Sequence, residues 1–230
     1  MAQIVGLDPS LTHLAWTVVD SDKSGKDFLL NYGTFKTVPK DGLLVQRLIL
    51  QRERLKKLLE DSGIRFVSME APYWGDASTE ILFALNQFIH EIFLNLKVFI
   101  VYFQPLVLKK FAVPDRNPQE IYKPHIVHQA KMELGKEGKR FSEHVADAFF
   151  AAKIGSRFYK WAIESSLKDT DLNEQEQHVF CGKHTYVRGD KKGITEYTGI
   201  IYKENDQFFD YRKQGRNTET LIKEIKNGGN

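Results

Sequence analysis

The sequence predicts an α/β fold: a mixed sheet flanked by helices, with a small C-terminal β-rich appendage. Three observations predict it. Three short segments of β-forming residues open the chain. Helical and strand patterns then alternate from residue 41 onward. From about Glu164 the chain turns polar and acidic, and short strands follow between clusters of turn residues.

Ile4–Leu7 is a short apolar run and Ala15-Trp-Thr-Val-Val19 is rich in β-formers. Asp20-Ser-Asp-Lys-Ser-Gly25 is a turn cluster, and Phe28–Val38 alternates as a third strand. The three form an antiparallel meander. Asp41–Glu60 is a helix, with Leu44, Leu48, Leu55, Leu58 and Leu59 near a 3.6-residue period and charged residues between them. Ile64–Met69 is a buried-type strand, Ser78–Leu96 an apolar helix and Val98–Phe103 another strand. Pro105–Phe111 is a short helix. A further helix covers Gln119–Leu134, with Pro124 arguing for a break or a later start. The last core helix runs from Ser142 to about Ala162.

This divides the chain into a core domain over 1–163, a linker over 164–177 and an accessory module over 178–230. In the module, His178–Val187, Thr195–Tyr202 and Gln207–Tyr211 read as strands and Thr218–Lys226 as a short helix.

At 230 residues, 42% of them hydrophobic, the chain can bury one moderate core and carry an appendage. No window matches an apolar transmembrane helix. The N-terminus enters a strand without a basic, signal-like lead, so a soluble cytoplasmic protein is expected. Cys181 is the single cysteine, which excludes an internal disulfide and a Cys-based zinc site. The net charge of +3 permits nucleic-acid binding without arguing for it, so any basic surface must be local.

Four residues carry the chemistry. Asp8 closes the first apolar run, and Glu70 closes Arg65-Phe-Val-Ser-Met-Glu70. His144 and Asp147 lie three apart in His144-Val-Ala-Asp147-Ala-Phe-Phe-Ala-Ala, on one face of a helix. Each has an ordinary reading alone: Asp8-Pro9 starts a turn, Glu70 before Ala-Pro ends a strand, and His144 belongs to a first helical turn. Together, at the ends of apolar elements, they form an oxygen-rich pocket for hard divalent cations. Phosphodiester hydrolysis uses two such ions about 4 Å apart. Asp8 is the natural bridge between them, Glu70 would hold one and Asp147 the other. His144 would ligate a metal or position water.

Ile4-Val-Gly-Leu-Asp-Pro-Ser-Leu-Thr resembles the opening of RuvC-type Holliday-junction resolvases, within the RNase H-like nucleases. Val67-Ser-Met-Glu70 resembles their second acidic motif, and His144-Val-Ala-Asp147-Ala their last. The resemblance covers about residues 3–160. It implies an RNase H-like mixed sheet, two magnesium ions with manganese able to substitute, and a homodimer that cuts four-way DNA junctions. It assigns catalytic and metal-binding roles to Asp8, Glu70, His144 and Asp147. Ser10 departs from the family's usual glycine after Asp-Pro, and the C-terminal extension is more like phage-encoded relatives.

The resemblance also places Tyr73 against a base at the junction centre, with Trp74 beside it. It matches Lys109 and Lys110 to a Pro-x-x-Val-Lys-Lys segment and Lys123 to a further basic residue; these would neutralise phosphates. In the module, Lys183, Arg188, Lys191 and Lys192 crowd one turn and suggest a basic tip that reaches a DNA arm; Arg212, Lys213 and Arg216 form a second group. Phe83, Phe88 and Phe93 give the Ser78–Leu96 helix a surplus of apolar surface that fits a dimer interface.

The expected function is a magnesium-dependent, structure-selective endodeoxyribonuclease that resolves four-way junctions. The alternatives are an RNase H-like nuclease for flaps or other branched intermediates, and a non-catalytic branched-DNA-binding protein. An actin-like phosphotransferase needs a second domain and Gly-rich loops that the chain lacks.

Overall fold

The computed structural model describes residues 2–21, 27–70, 79–103, 105–135, 138–164, 166–167, 171–172, 183–185, 192, 195–197, 201–204 and 207–210. The chain opens with the meander β1 (Ala2–Asp8), β2 (His13–Ser21) and β3 (Asp27–Lys36). Then follow α1 (Leu44–Ser62), β4 (Phe66–Glu70), α2 (Thr79–Asn95), β5 (Phe99–Phe103), α3 (Pro105–Ala112), α4 (Lys123–Leu134) and α5 (Glu143–Phe158).

The sheet order is β3-β2-β1-β4-β5. The meander pairs antiparallel, and β1, β4 and β5 run parallel. Alternation along the strands sends side chains to two cores. Val5, Leu7, Trp16, Val67, Met69, Ile100 and Tyr102 pack with α1 and α2. Ile4, Ala15, Val19, Phe66, Val101 and Phe103 pack with α3, α4 and α5.

Helix α5 lies directly on β1 and β4 because small residues line the contact. A Cβ on Gly6 would stand 2.0 Å from the Ala148 carbonyl oxygen, and one on Gly155 would stand 2.5 Å from the Ser68 Cβ. Ala148, Ala151, Ala152 and Gly155 are buried along this helix. Ser142 starts it, its hydroxyl accepting the Val145 N–H at 3.3 Å. A single π-helical turn, Tyr159–Ile163, ends it.

Two helix starts differ from the sequence expectation. Pro39–Asp41 forms a 3-10 turn in which the Asp41 carboxylate accepts the Val38 N–H at 2.8 Å. Helix α1 therefore begins only at Leu44, past Gly42, and Leu44 is exposed rather than core. Pro118–Glu120 is a separate 3-10 turn, and α4 begins at Lys123 with Pro124 in its first turn, where the missing N–H has no intrahelical partner to lose.

Four strands, not three, are described past residue 178: β6 (Lys183–Thr185), β7 (Thr195–Tyr197), β8 (Ile201–Glu204) and β9 (Gln207–Asp210). β6 and β7 pair with each other. β8 pairs antiparallel with β5, and β9 with β8, so this hairpin extends the main sheet to seven strands. Leu172 packs into the α5-side core. The helix expected at 218–226 lies outside the described residues.

One buried ion pair was not anticipated. Lys160 Nζ sits 3.1 Å from the Asp27 carboxylate, both side chains nearly fully enclosed, and the Ser156 hydroxyl donates to the same oxygen. It ties the start of β3 to the end of α5.

Candidate active site

Asp8 is the last residue of β1 and Glu70 the last of β4. The parallel register sets Leu7 opposite Met69, so these two acids end neighbouring strands side by side. Both lie on the α5 side, two residues beyond Gly6 and Ser68, which touch that helix. Period-two alternation fixes this: Ile4 and Phe66, in step with the acids, belong to the α5-side core.

His144 and Asp147 sit in the first turn and a half of α5, in line with Ala148, Ala151 and Gly155. The helix therefore brings them to the strand ends. His144 Nδ1 lies 2.6 Å from Asp8 Oδ2. All four residues expected from the sequence lie at the C-terminal end of the central strands β1 and β4.

The electrostatics are those of crowded negative charge. Burial, then the charges of Asp8 and Asp147, pushes Glu70 up to about 8. Burial, then Asp8, pushes Asp147 up to about 7. The hydrogen bond that His144 donates to the Asp8 carboxylate raises the His144 pKa, because the charged ring is favoured next to a carboxylate. Lys123 opposes the shifts of both Glu70 and Asp147, and Lys109 that of Glu70. These two lysines thus lie within electrostatic range of the acids. Lys123 also pairs loosely with Glu143 at 3.9 Å. Lys110 instead donates to the Pro114 carbonyl at 2.7 Å and closes the end of α3.

Among the described residues, no three His, Cys, Asp or Glu side chains converge into a ready-made metal site. The donor set nevertheless fits a hard divalent ion in kind. It is three carboxylates and an imidazole, and burial with neighbouring negative charge raises two of the carboxylates, a crowding that a cation would relieve.

Sequence reasoning missed His13. It opens β2, and its ring stacks on His144 with centroids 5.4 Å apart and planes within 8°. Burial, then the His144 and Lys36 charges, lowers its pKa, which disfavours a second charged ring beside His144. The only signal in the sequence is a histidine five residues after Asp8, just across the turn.

The turn itself is fastened from behind. Gln51 Nε2, buried on α1, donates to the carbonyls of Ser10 at 3.1 Å and Leu11 at 2.7 Å. Thr37 Oγ1 donates to Leu11 at 2.6 Å, and the Thr37 N–H to Thr12 at 3.0 Å.

Other sequence candidates stand apart. Tyr73, Trp74, Arg188 and Lys191 lie outside the described residues. Lys183 is in β6, and Lys192 is exposed in a turn. Of the aromatic surplus on α2, Phe93 is core, Phe88 packs partly against it, and Phe83 is 38% exposed. No helix among the described residues is long and apolar enough to cross a membrane.

Two solved structures of RuvC from Thermus thermophilus superpose on this architecture with a TM-score of 0.56. The fold is RuvC-like. One of them, in complex with Holliday junction substrate, is 20% identical over 69% of this chain and 95% of that chain. The other is 24% identical over the same shares. No family model matches the sequence. No curated protein matches it either.

Proposed function

We propose that this chain is a divalent-metal-dependent endodeoxyribonuclease that resolves four-way DNA junctions as a homodimer. The observation that carries the reading is the placement of Asp8 and Glu70 at the ends of the adjacent central strands β1 and β4, with Asp147 on the helix packed over them, on a RuvC-like fold, Glu70 and Asp147 being lifted by burial and by the Asp8 charge. For Glu70 and Asp147, burial and the Asp8 charge outweigh the opposing lysines, a perturbation that marks functional sites more often than structural pairs.

Asp8, Glu70 and Asp147 would hold the ions, with His144 beside them. What bound divalent ions supply in such a site is a lowered pKa for water and compensation of charge building on phosphate oxygens. The chain's own groups do the rest. His144 holds Asp8 through Nδ1 and so fixes one carboxylate oxygen. Lys109 and Lys123 bring positive charge for the scissile phosphate. Tyr73 would stack on a base, and Lys183, Arg188, Lys191 and Lys192 would follow a DNA arm.

The test is cleavage of labelled four-way, three-way, flap and linear DNA with magnesium, using the full chain and its Asp8→Asn variant. Paired symmetric nicks on the four-way junction, lost in the variant, support the proposal. Preference for flaps moves the reading to another RuvC-like nuclease. Tight junction binding without cleavage by any divalent ion overturns the catalytic reading. Because β8 pairs with β5, the module is better probed by Lys191→Glu with Lys192→Glu than by deletion: weaker binding with a shallower salt dependence is expected.

A further inference from the structure

We propose that His13 is a positioning residue: stacked on His144, it fixes the plane of that ring at the carboxylate cluster. Among the described residues, Asp8 holds the His144 ring by one edge, through Nδ1 at 2.6 Å. A single hydrogen bond leaves an imidazole able to pivot about that contact, because its terminal torsion is broad. A parallel neighbour at 5.4 Å, tilted by 8°, removes the pivot by covering one face. Edge and face together define one orientation for the free nitrogen, Nε2.

His13 can serve as a reference surface because it is itself held at three atoms. Its N–H donates to Ser10 Oγ at 3.0 Å, and the same hydroxyl donates to its carbonyl at 3.1 Å. Its Nδ1 lies 2.9 Å from Thr12 Oγ1. Its backbone pairs with Lys36 in the β2–β3 ladder. Ser10 is the position at which the sequence departs from the glycine expected after Asp-Pro. A glycine has no hydroxyl to give, so Ser10 and His13 form one device of this chain: the serine anchors the backbone and the histidine presents the ring.

The catalytic consequence rests on the nuclease reading above; the stacking geometry does not. The test uses the full chain with labelled histidine, comparing His13→Ala and His13→Phe. In the unsubstituted protein the His144 ring protons should carry the ring-current displacement of a stacked neighbour. Alanine should abolish that displacement and phenylalanine keep it. In the cleavage assay, alanine should lower kcat about tenfold with KM unchanged, while phenylalanine stays within about threefold, since only orientation is at stake. If alanine lowers Tm, His13→Gln replaces it, being polar and without an aromatic face. Unmoved His144 resonances in the alanine or glutamine variant overturn the proposal. So does a phenylalanine variant as slow as alanine, which would assign the role to the nitrogen atoms instead. If the unsubstituted protein cuts no DNA, the nuclease reading fails and the resonance comparison still decides the positioning role.

Discussion

Gly6 and Ala148 meet backbone to backbone: a Cβ on Gly6 would stand 2.0 Å from the Ala148 carbonyl oxygen and 2.3 Å from the Ala152 nitrogen. Neither neighbour is a side chain that could swing away. This contact sets the height of α5 above β1, and with it the reach of His144 and Asp147 to Asp8.

Gly6→Ala should therefore lift the helix. Overpacking of this kind costs about 1–3 kcal/mol or more, which lowers Tm by several degrees in a chain of this size. Cleavage should fall further than the stability loss explains, because the four site residues separate. Calorimetry and cleavage rates on the same preparation check it; an unchanged Tm would mean that α5 is not seated on Gly6.

Stability without ions should fall as pH rises. Glu70 and Asp147 are raised to about 8 and about 7 in the folded chain. Between their ordinary values and these, the unfolded chain has released protons that the folded chain still binds, so rising pH favours unfolding. His144, also raised, adds the same sign: its stabilisation is present at low pH and is lost through its folded pKa. Ion-free Tm should thus be lower at about pH 8.5 than at about pH 5.5, and magnesium should raise Tm more at the higher pH. Equal Tm at both pH values would contradict the crowding of the carboxylates.

Asp8→Asn should reduce cleavage by about a hundredfold or more while junction binding persists, since the fold keeps its shape and loses a central charge. The same substitution removes the hydrogen bond that raises His144, whose pKa should fall toward its ordinary value. Titration of the His144 resonance measures this directly. A His144 pKa indifferent to Asp8 would break the link between the two.

His144→Ala should slow the reaction less than Asp147→Asn if the imidazole orients Asp8 or water rather than ligating. Equal losses in kcat would place both residues on a metal.

Lys160→Met should leave the Asp27 carboxylate buried without its cation, at a cost of about 3–5 kcal/mol. Adding Asp27→Leu should recover much of it. Thermal unfolding of the single and double variants decides the point, and a harmless single variant would show that water reaches Asp27.

The placement of the candidate residues was legible in the sequence where local periodicity decides geometry. Asp8 and Glu70 end apolar strands in step with inward-facing residues, and His144 and Asp147 share a helical face. What escaped depends on contacts between distant segments. His13 gains its meaning from a ring 131 positions away. Gln51 reads as an ordinary polar residue of α1, yet it is buried because the turn after Asp8 needs donors. Leu44 fits the apolar stripe and is exposed, because Gly42 delays the helix. The pairing of β8 with β5 joins residues about a hundred apart, which no strand pattern encodes.

The turn from Pro9 to Thr12, fastened by Gln51 and Thr37, has a consequence for selectivity. Ordering a backbone residue costs about 1–2 kcal/mol in conformational entropy, and here that cost is met during folding. If the chain acts on DNA as proposed, a backbone arriving at Asp8 would meet a surface of fixed shape. Substrates would then be sorted by how well their own geometry matches that surface, and a duplex that must bend to fit would bear the whole deformation itself.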